Sequence, residues 1–119
     1  MSASCSNDNI PDGVNWACNQ TIVVPQPGVL LMSGSVDIRN GAPSGTSYRF
    51  WCGFSTTAHG FLPASDGDIN VDGGEWGTCA TDVSLVVEPG TYYVHFDLLG
   101  IAGSTEVGQG ASWVLFVPS

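Results

Sequence analysis

Apolar residues recur at every second position in several short segments of this chain. The two clearest sets are Leu30, Met32, Gly34, Val36 and Ile38, and Tyr92, Val94, Phe96 and Leu98. Successive side chains of a β-strand point to opposite faces, so a period of two predicts strands that bury one face. No window of about 11 residues has the apolar spacing of an amphipathic helix, and helices are therefore not expected.

A turn containing proline and glycine precedes each of these two segments. Residues 23–28 have the sequence VVPQPG, and residues 86–90 have the sequence VVEPG. Proline fixes φ and glycine accepts conformations closed to other residues, so each turn predicts a tight connection between antiparallel strands. The two hairpins expected are residues 22–24 with 29–38 and residues 83–87 with 92–98.

Two more strands are predicted, one in the middle of the chain and one at its end. In residues 48–54, Tyr48, Phe50, Cys52 and Phe54 share one face, opposite Arg49, Trp51 and Gly53. In residues 112–117, Trp113, Leu115 and Val117 lie on one side. Short strands between frequent glycine and proline turns are typical of sandwiches and jelly rolls. We therefore predict an all-β, single-domain antiparallel β-sandwich, jelly-roll-like, over residues 21–119, preceded by an N-terminal arm or cap over residues 1–20.

The charge of the chain limits the classes of partner that it is expected to bind. The chain has 119 residues, of which 11% are charged, against about 25% in an average globular domain. Arg39 and Arg49 are its only strong cations, and the formal net charge is −9. The negative electrostatic field of such a chain repels phosphate groups, so neither nucleic acid nor an anionic membrane is an expected partner. A cation or a neutral polar ligand is easier to accommodate.

The four cysteines, Cys5, Cys18, Cys52 and Cys79, show no C-x-x-C spacing, which argues against a zinc ribbon or a thioredoxin-like centre. Two disulfides are the favoured interpretation. Of the three pairings, we favour Cys5 with Cys18 and Cys52 with Cys79. Four buried free thiols in a reducing cytosol are the alternative.

Disulfides are typical of proteins outside the cytosol or on a particle that leaves it. The start of the chain, MSAS, lacks the features of a signal peptide, and no stretch reaches the roughly 20 apolar residues of a membrane span. An extracellular or virion location is therefore expected, reached after removal of a signal or inside a virus particle.

Residues 88–96, with the sequence EPGTYYVHF, resemble the strand signature of C1q/TNF-like jelly rolls, in which a proline-glycine turn leads into an alternating aromatic strand. Residues 111–116, ASWVLF, are similar to the last apolar strand of the same domains. The first predicted hairpin is similar to the opening strands of bacterial and phage members.

The resemblance implies a trimer whose subunits pack through aromatic strands, with a role in display, adhesion or assembly. From it we expect a non-enzymatic structural module of an extracellular particle, a virion protein of the capsid-decoration or fibre type being the leading hypothesis. The alternative hypothesis is a secreted carbohydrate-binding module or lectin that binds with or without the assistance of Ca²⁺.

A long loop is predicted over residues 55–67, followed by an acidic turn region that extends to residue 77. Asp68, Asn70 and Asp72 place oxygen ligands at alternate positions before a glycine, as in the first half of a calcium loop, and Glu75 follows. The position of the final bidentate carboxylate is occupied by Cys79, so the second half of the motif is missing. Two interpretations are open. In one, Glu75 or a neighbouring subunit completes the calcium site. In the other, the segment is a solvated acidic turn.

Trp51, with Arg49 on the same face, is the predicted aromatic platform for a sugar, joined by Trp76. Flat indoles stack on sugar rings, and neighbouring polar groups bind the hydroxyls. The alternative is that these tryptophans fill the core or a subunit interface.

His59 and His95 are the only histidines. His95 is expected at the surface or in a subunit contact, and no G-x-S-x-G or H-E-x-x-H motif accompanies either histidine. We therefore expect no enzymatic activity.

Overall fold

The computed structural model describes residues 2–10, 17–57, 60–62, 66–98 and 105–119, with the backbone alone for residues 3, 5–10, 17 and 61. Every regular element among these residues is a β-strand, which confirms the all-β prediction. The strands are β1 Ser2–Ile10, β2 Ala17–Val24, β3 Gly28–Arg39, β4 Ser47–Thr56, β5 Gly60–Phe61, β6 Gly67–Asp72, β7 Trp76–Val87, β8 Gly90–Leu98 and β9 Glu106–Pro118. In this part of the chain, no helix has the length and apolar content needed to cross a membrane.

The strands form two antiparallel sheets that pack face to face. Sheet A has the order β1-β9-β3-β7. Sheet B has the order β2-β8-β4, and β5 and β6 pair with different ends of β4. Apart from β4, β5 and β6, which all belong to sheet B, sequential strands alternate between the sheets, as in a jelly roll. The predicted antiparallel β-sandwich is therefore confirmed.

The two proline-glycine turns do not close hairpins, because each one takes the chain from one sheet to the other. β2 pairs with β8 in sheet B, whereas β3 pairs with β7 and β9 in sheet A. Both predicted hairpins are therefore wrong. Turn residues and alternation indicate where a strand ends and which face it buries, but they leave its hydrogen-bonding partner open.

The two turns instead lie side by side at one end of the sandwich. Val24 is paired with Gly90, and Gly28 is paired with Val87. The β2–β3 and β7–β8 connections therefore pass from one sheet to the other next to each other. Gly28 is required in this bend because a Cβ there would collide with the carbonyl oxygen of Val117. The repeated sequence pattern thus marks a single bend built from two distant segments.

The core lies between the sheets and consists of the side chains that alternate inward. Phe54 of β4 and Phe96 of β8 are fully buried, and their ring centroids lie 4.9 Å apart. Val94 is also buried, and Tyr92 is partly buried against the core. The remaining large buried side chains include Leu30, Met32, Val36, Ile38, Phe50, Val87 and Val114.

Three strands lie in segments that were predicted to be irregular. β1 falls within the predicted N-terminal arm and pairs with β9, which makes it an edge strand of sheet A. β5 and β6 fall within the predicted loop and acidic turn. β6 is a strand because Ile69 and Val71 face inward between exposed polar residues, an alternation too short to stand out in the sequence.

Candidate functional site

Six apolar side chains form a continuous surface at one end of the outer face of sheet A. They lie in three rows that cross β9, β3 and β7. The first row holds Val117, Val29 and Val86, the second holds Leu115 and Leu31, and the third holds Trp113. These six residues form what we term the apolar patch. Val86 is 78% exposed and Trp113 is 46% exposed, and an exposed patch of this kind is typical of a contact surface.

The apolar patch exists because β3 and β9 carry apolar residues on both faces at this end. Residues 29–32 have the sequence VLLM, and residues 113–117 have the sequence WVLFV. A half-exposed strand alternates, whereas a strand covered on both faces has a continuous apolar run. Sequence reasoning placed Trp113, Leu115 and Val117 on one side of a strand but did not identify that side as a functional surface. The uninterrupted runs are the signal that indicates it.

Trp113 lies between two shallow concavities of the same outer face and lines both of them. One has a volume of about 490 Å³, with Ser33 and Ser35 in its lining. The other has a volume of about 320 Å³, with Leu31 and Asp82 in its lining. Asp82 is the only charged side chain in the three rows of β9, β3 and β7 that carry the patch. This end of sheet A is therefore apolar and almost free of charge.

Trp76 lies at the opposite end of the same face, at the start of β7. The turn before it is held by Asn40, whose backbone N–H donates to the carbonyl oxygen of Glu75 at 3.0 Å. The buried Asn40 side chain donates from Nδ2 to the carbonyl oxygen of Val71 at 2.8 Å and accepts from the N–H of Ala42 at 2.9 Å. Asn40 therefore fixes the turn that places Trp76.

A small cleft of about 250 Å³ adjoins Trp76, and its lining consists of Asp37, Trp76, Gly77 and Thr78. We term it the Trp76 cleft. The Thr78 hydroxyl donates to Asp37 Oδ1 at 2.9 Å. A Cβ at Gly108 of β9 would lie 3.0 Å from Cζ3 of Trp76, so the indole lies across the sheet over a residue without a side chain. Trp76 remains 54% exposed.

Trp51 and Arg49 lie on the outer face of sheet B, away from Trp76. The Arg49 guanidinium lies over the Trp51 ring, 5.0 Å from its centroid. The Asp68 carboxylate holds that guanidinium in an ion pair and accepts a hydrogen bond from Arg49 Nε at 3.1 Å. The structure therefore separates the two predicted platform tryptophans, and one face of Trp51 is covered by this chain's own arginine.

The predicted calcium ligands lie along a strand instead of a loop. Asp68, Asn70 and Asp72 all point outward from β6, and Glu75 follows in the turn. Asp68 and Asp72 are four residues apart on the strand, or about 13 Å, whereas two ligands of one Ca²⁺, each about 2.3 to 2.6 Å from the ion, lie at most about 5 Å apart. Within the described residues, no three His, Cys, Asp or Glu side chains come together as a metal site. Asp68 and Asp72 are therefore too far apart along β6 to bind one Ca²⁺ together, and a calcium site built from fewer of these residues stays a prediction.

The Cys52–Cys79 disulfide of the sequence prediction is present and joins β4 of sheet B to β7 of sheet A. Cys18 is also disulfide-bonded. Its expected partner, Cys5, has a side chain outside the described residues. Disulfides are typical of the oxidising conditions of a secreted protein.

His95 lies on the outer face of sheet B, where its Nδ1 hydrogen-bonds to Asn19 Oδ1 at 2.8 Å. Asp97 follows on the same face and is partly buried. This burial raises the pKa of Asp97 above its ordinary value of 3.8, and the nearby His95 opposes part of the increase. His59 lies outside the described residues.

These features define a jelly-roll module whose sheet A carries an apolar patch at one end of its outer face and the Trp76 cleft at the other. Comparison with protein-family models finds no match, and comparison with curated proteins finds none either. Solved structures do match. The chain is similar to a pre-peptidase C-terminal domain of a Bacillus anthracis collagenase, with 13% identity, a TM-score of 0.50, and coverage of 97% of this chain and 90% of that one. This similarity supports the fold alone.

Two other matches have TM-scores below 0.5 and support no argument about function. One is an Eiger TNF from S. frugiperda, with 10% identity, a TM-score of 0.49, and coverage of 83% of this chain and 66% of that one. The other is a family 35 carbohydrate binding module from Clostridium thermocellum, with 11% identity, a TM-score of 0.45, and coverage of 92% and 90%. None of these three structures is described as viral.

The chain also aligns with part of a much longer protein, a beta-glucosidase from Paenibacillus barengoltzii. It spans only 10% of that protein's length, at 17% identity and a TM-score of 0.41. The expected C1q/TNF-like membership is therefore supported only as a jelly-roll β domain.

Proposed function

We propose that this protein is a non-enzymatic assembly module that forms a homo-oligomer through the apolar patch. The observation that carries the proposal is the continuity of that patch, whose six side chains lie in three adjacent rows of sheet A. Removing exposed apolar surface from water provides the driving force for such association. The apolar runs of β3 and β9 support it, because they have the pattern of strands covered on both faces.

The charge distribution favours a second copy of this chain as the partner. Copies that each carry a net charge of −9 repel one another unless their contact surface is neutral. Both arginines are already paired within the chain, Arg39 with Glu106 and Arg49 with Asp68, and offer no separate basic surface for an acidic neighbour. The apolar patch is the surface on which two such copies meet with the least repulsion.

The outer face of sheet A sets an upper limit to the area of the contact. Its four strands are spaced about 4.8 Å apart, and its central strands contain 12 and 13 residues of about 3.3 Å each, so the outer face covers on the order of 750 Å². Each partner in a standard protein interface buries roughly 800 Å². A contact centred on the patch that leaves the other end of this face open is smaller than this, as in the interfaces of transient complexes.

A trimer is the state that the C1q/TNF resemblance implies, and we include it in the proposal. The disulfides support a location outside the cytosol. A virion is the particular setting that the resemblance suggests, and it rests on that resemblance alone.

Light scattering coupled to size-exclusion chromatography tests the assembly. We expect the wild-type chain to have three times the 12.4 kDa mass of the monomer. Replacing Leu31 and Leu115 together by lysine places like charges in the contact and should give a monomer. Tyr93→Lys is the matched control, because Tyr93 is 50% exposed on the outer face of sheet B, and it should keep the wild-type mass.

A wild-type protein that stays monomeric at high micromolar concentration would overturn the proposal. A stable dimer would retain self-association and overturn the trimer. Circular dichroism of both variants establishes that any change of mass is not a loss of folding.

A further inference from the structure

We propose that the Trp76 cleft binds a neutral sugar ring, at a site separate from the apolar patch. The indole provides the binding surface. Its six-membered ring lies over Gly108, where a Cβ would come within 3.0 Å of Cζ3 and 3.4 Å of Cη2. More than half of the side chain nevertheless remains exposed. An aromatic ring held against the backbone loses little conformational freedom when a ligand stacks on it.

Polar groups suited to sugar hydroxyls surround this ring. Asp37 Oδ1 accepts from the Thr78 hydroxyl at 2.9 Å, and the carboxylate and hydroxyl retain further hydrogen-bonding capacity. Arg39 and Glu106 lie across the sheet from Trp76, with their charged groups 3.7 Å apart and partly exposed. The cleft therefore combines an apolar face with donors and acceptors at its edge, the arrangement that orients a small ligand.

The chemistry of the cleft selects a neutral pyranose over other flat or polar ligands. The C–H bonds on one face of a sugar ring carry partial positive charge, which the negative face of an indole attracts. Asp37, Glu106 and the net charge of −9 repel uronic acids and phosphorylated ligands. A quaternary ammonium ion prefers a cage of several aromatic rings, whereas Trp76 is the only aromatic side chain among the described residues that line this cleft.

The volume of the cleft limits the ligand to a short unit. At about 250 Å³ it is smaller than the roughly 300 to 1,000 Å³ of pockets for drug-sized molecules. One sugar ring stacked on Trp76 is therefore the expected occupant, with a dissociation constant on the order of 1 mM.

Saturation-transfer difference NMR with methyl glycosides tests this site. The neutral probes are the methyl glycosides of glucose, galactose, mannose, xylose and N-acetylglucosamine, and glucuronic acid is the anionic comparator. We expect at least one neutral glycoside to receive saturation from the wild-type protein, mainly at the protons of one ring face, and glucuronic acid to receive much less.

Three variants assign the binding to the cleft. Trp76→Ala should weaken binding by at least about tenfold, and Trp76→Tyr should retain part of it. Gly108→Ala should weaken it by about threefold to tenfold, because the added methyl group displaces the indole. Tyr93→Ala is the matched control, an aromatic side chain that is 50% exposed on the outer face of sheet B, and it should bind the sugar as the wild type does.

Several results would overturn the assignment. They are the absence of saturation for every neutral glycoside at about 10 mM, which is ten times the expected dissociation constant, unchanged binding in Trp76→Ala, or equal binding of glucuronic acid. Choline is included as a cationic probe. If its saturation signal depended on Trp76 and exceeded that of every sugar, the cleft would be a cation site instead of a sugar site. Near-ultraviolet circular dichroism checks that each variant is folded.

Discussion

At the scale of single residues, Asn40 is the side chain whose removal should destabilise the fold most clearly. It is buried and hydrogen-bonds to backbone groups of Val71 and Ala42. Asn40→Ala leaves these groups without their partner, at a cost of about 2 to 4 kcal/mol in the free energy of unfolding. Urea denaturation measures the change.

Asn70→Ala is the control for this prediction, because Asn70 is exposed on β6 and its loss should change stability by less than about 0.5 kcal/mol. Equal effects of the two substitutions would contradict the role assigned to Asn40.

Asp97 provides a test of how pH affects stability. A carboxyl with a pKa raised above 3.8 in the fold binds its proton more tightly there than in the unfolded chain. Its favourable contribution is therefore present below the unfolded pKa and is lost as the pH rises through the raised folded pKa. We expect Asp97→Asn to gain stability relative to the wild type as the pH rises from below 3.8 to neutral.

Urea denaturation of both proteins across this pH range measures the difference in their free energies of unfolding. A difference that stays constant, or that changes in favour of the wild type as the pH rises, would contradict the burial of the Asp97 carboxyl as its cause.

At the scale of elements, the two proline-glycine turns separate what the sequence could predict from what it could not. Alternation in β3 and β8 correctly gave strands, turn positions and inward faces, because these depend on neighbours in sequence. The pairing of β2 with β8 and of β3 with β7 depends on contacts between distant segments. No local residue preference distinguishes a hairpin from a bend that carries the chain from one sheet to the other.

Strand β6 leads to an expectation about calcium that differs from the sequence motif. The outward side chains of β6 are spaced along an extended backbone, and Asp68 is paired with Arg49. We therefore expect Ca²⁺ to change the melting temperature no more than Mg²⁺ does at equal ionic strength. A bound ion that stabilised the fold would raise the melting temperature by roughly 4 to 8 °C for each 1 kcal/mol added to the free energy of unfolding.

Differential scanning fluorimetry of the wild type and Asp72→Ala compares the two ions. A rise in melting temperature that is specific to Ca²⁺ and disappears in Asp72→Ala would contradict this expectation and support a calcium site.

At the scale of the whole molecule, the Cys52–Cys79 disulfide joins the two sheets and closes a loop with a sequence separation of 27. Replacing both cysteines by alanine should lower the free energy of unfolding by about 3 to 4 kcal/mol, chiefly because the unfolded chain gains freedom. Guanidinium denaturation measures the loss. A decrease below about 1 kcal/mol would mean that packing alone holds β4 against β7.

The candidate sites also show the limits of prediction at this scale. Trp51 and Trp76 were assigned to one platform because both are aromatic and lie near polar residues in the sequence. Their separation follows from the position of β4 in sheet B and of β7 in sheet A, which local sequence does not determine. The apolar patch is different, because the continuous run of residues 113–117 already indicates a strand covered on both faces.

The apolar patch and the Trp76 cleft share one face but lie at its opposite ends. The patch extends to the row of Ser33, where Trp113 lies, and the lining of the cleft begins at Asp37, so four residues of β3, or roughly 13 Å, separate their nearest edges. Copies joined through the patch would each retain an open cleft, and a polysaccharide long enough to reach several clefts would be held by multivalency. Avidity of this kind strengthens binding by about 10² to 10⁴ without any new contact, so weak recognition of single sugars would become firm attachment to a glycan-covered surface.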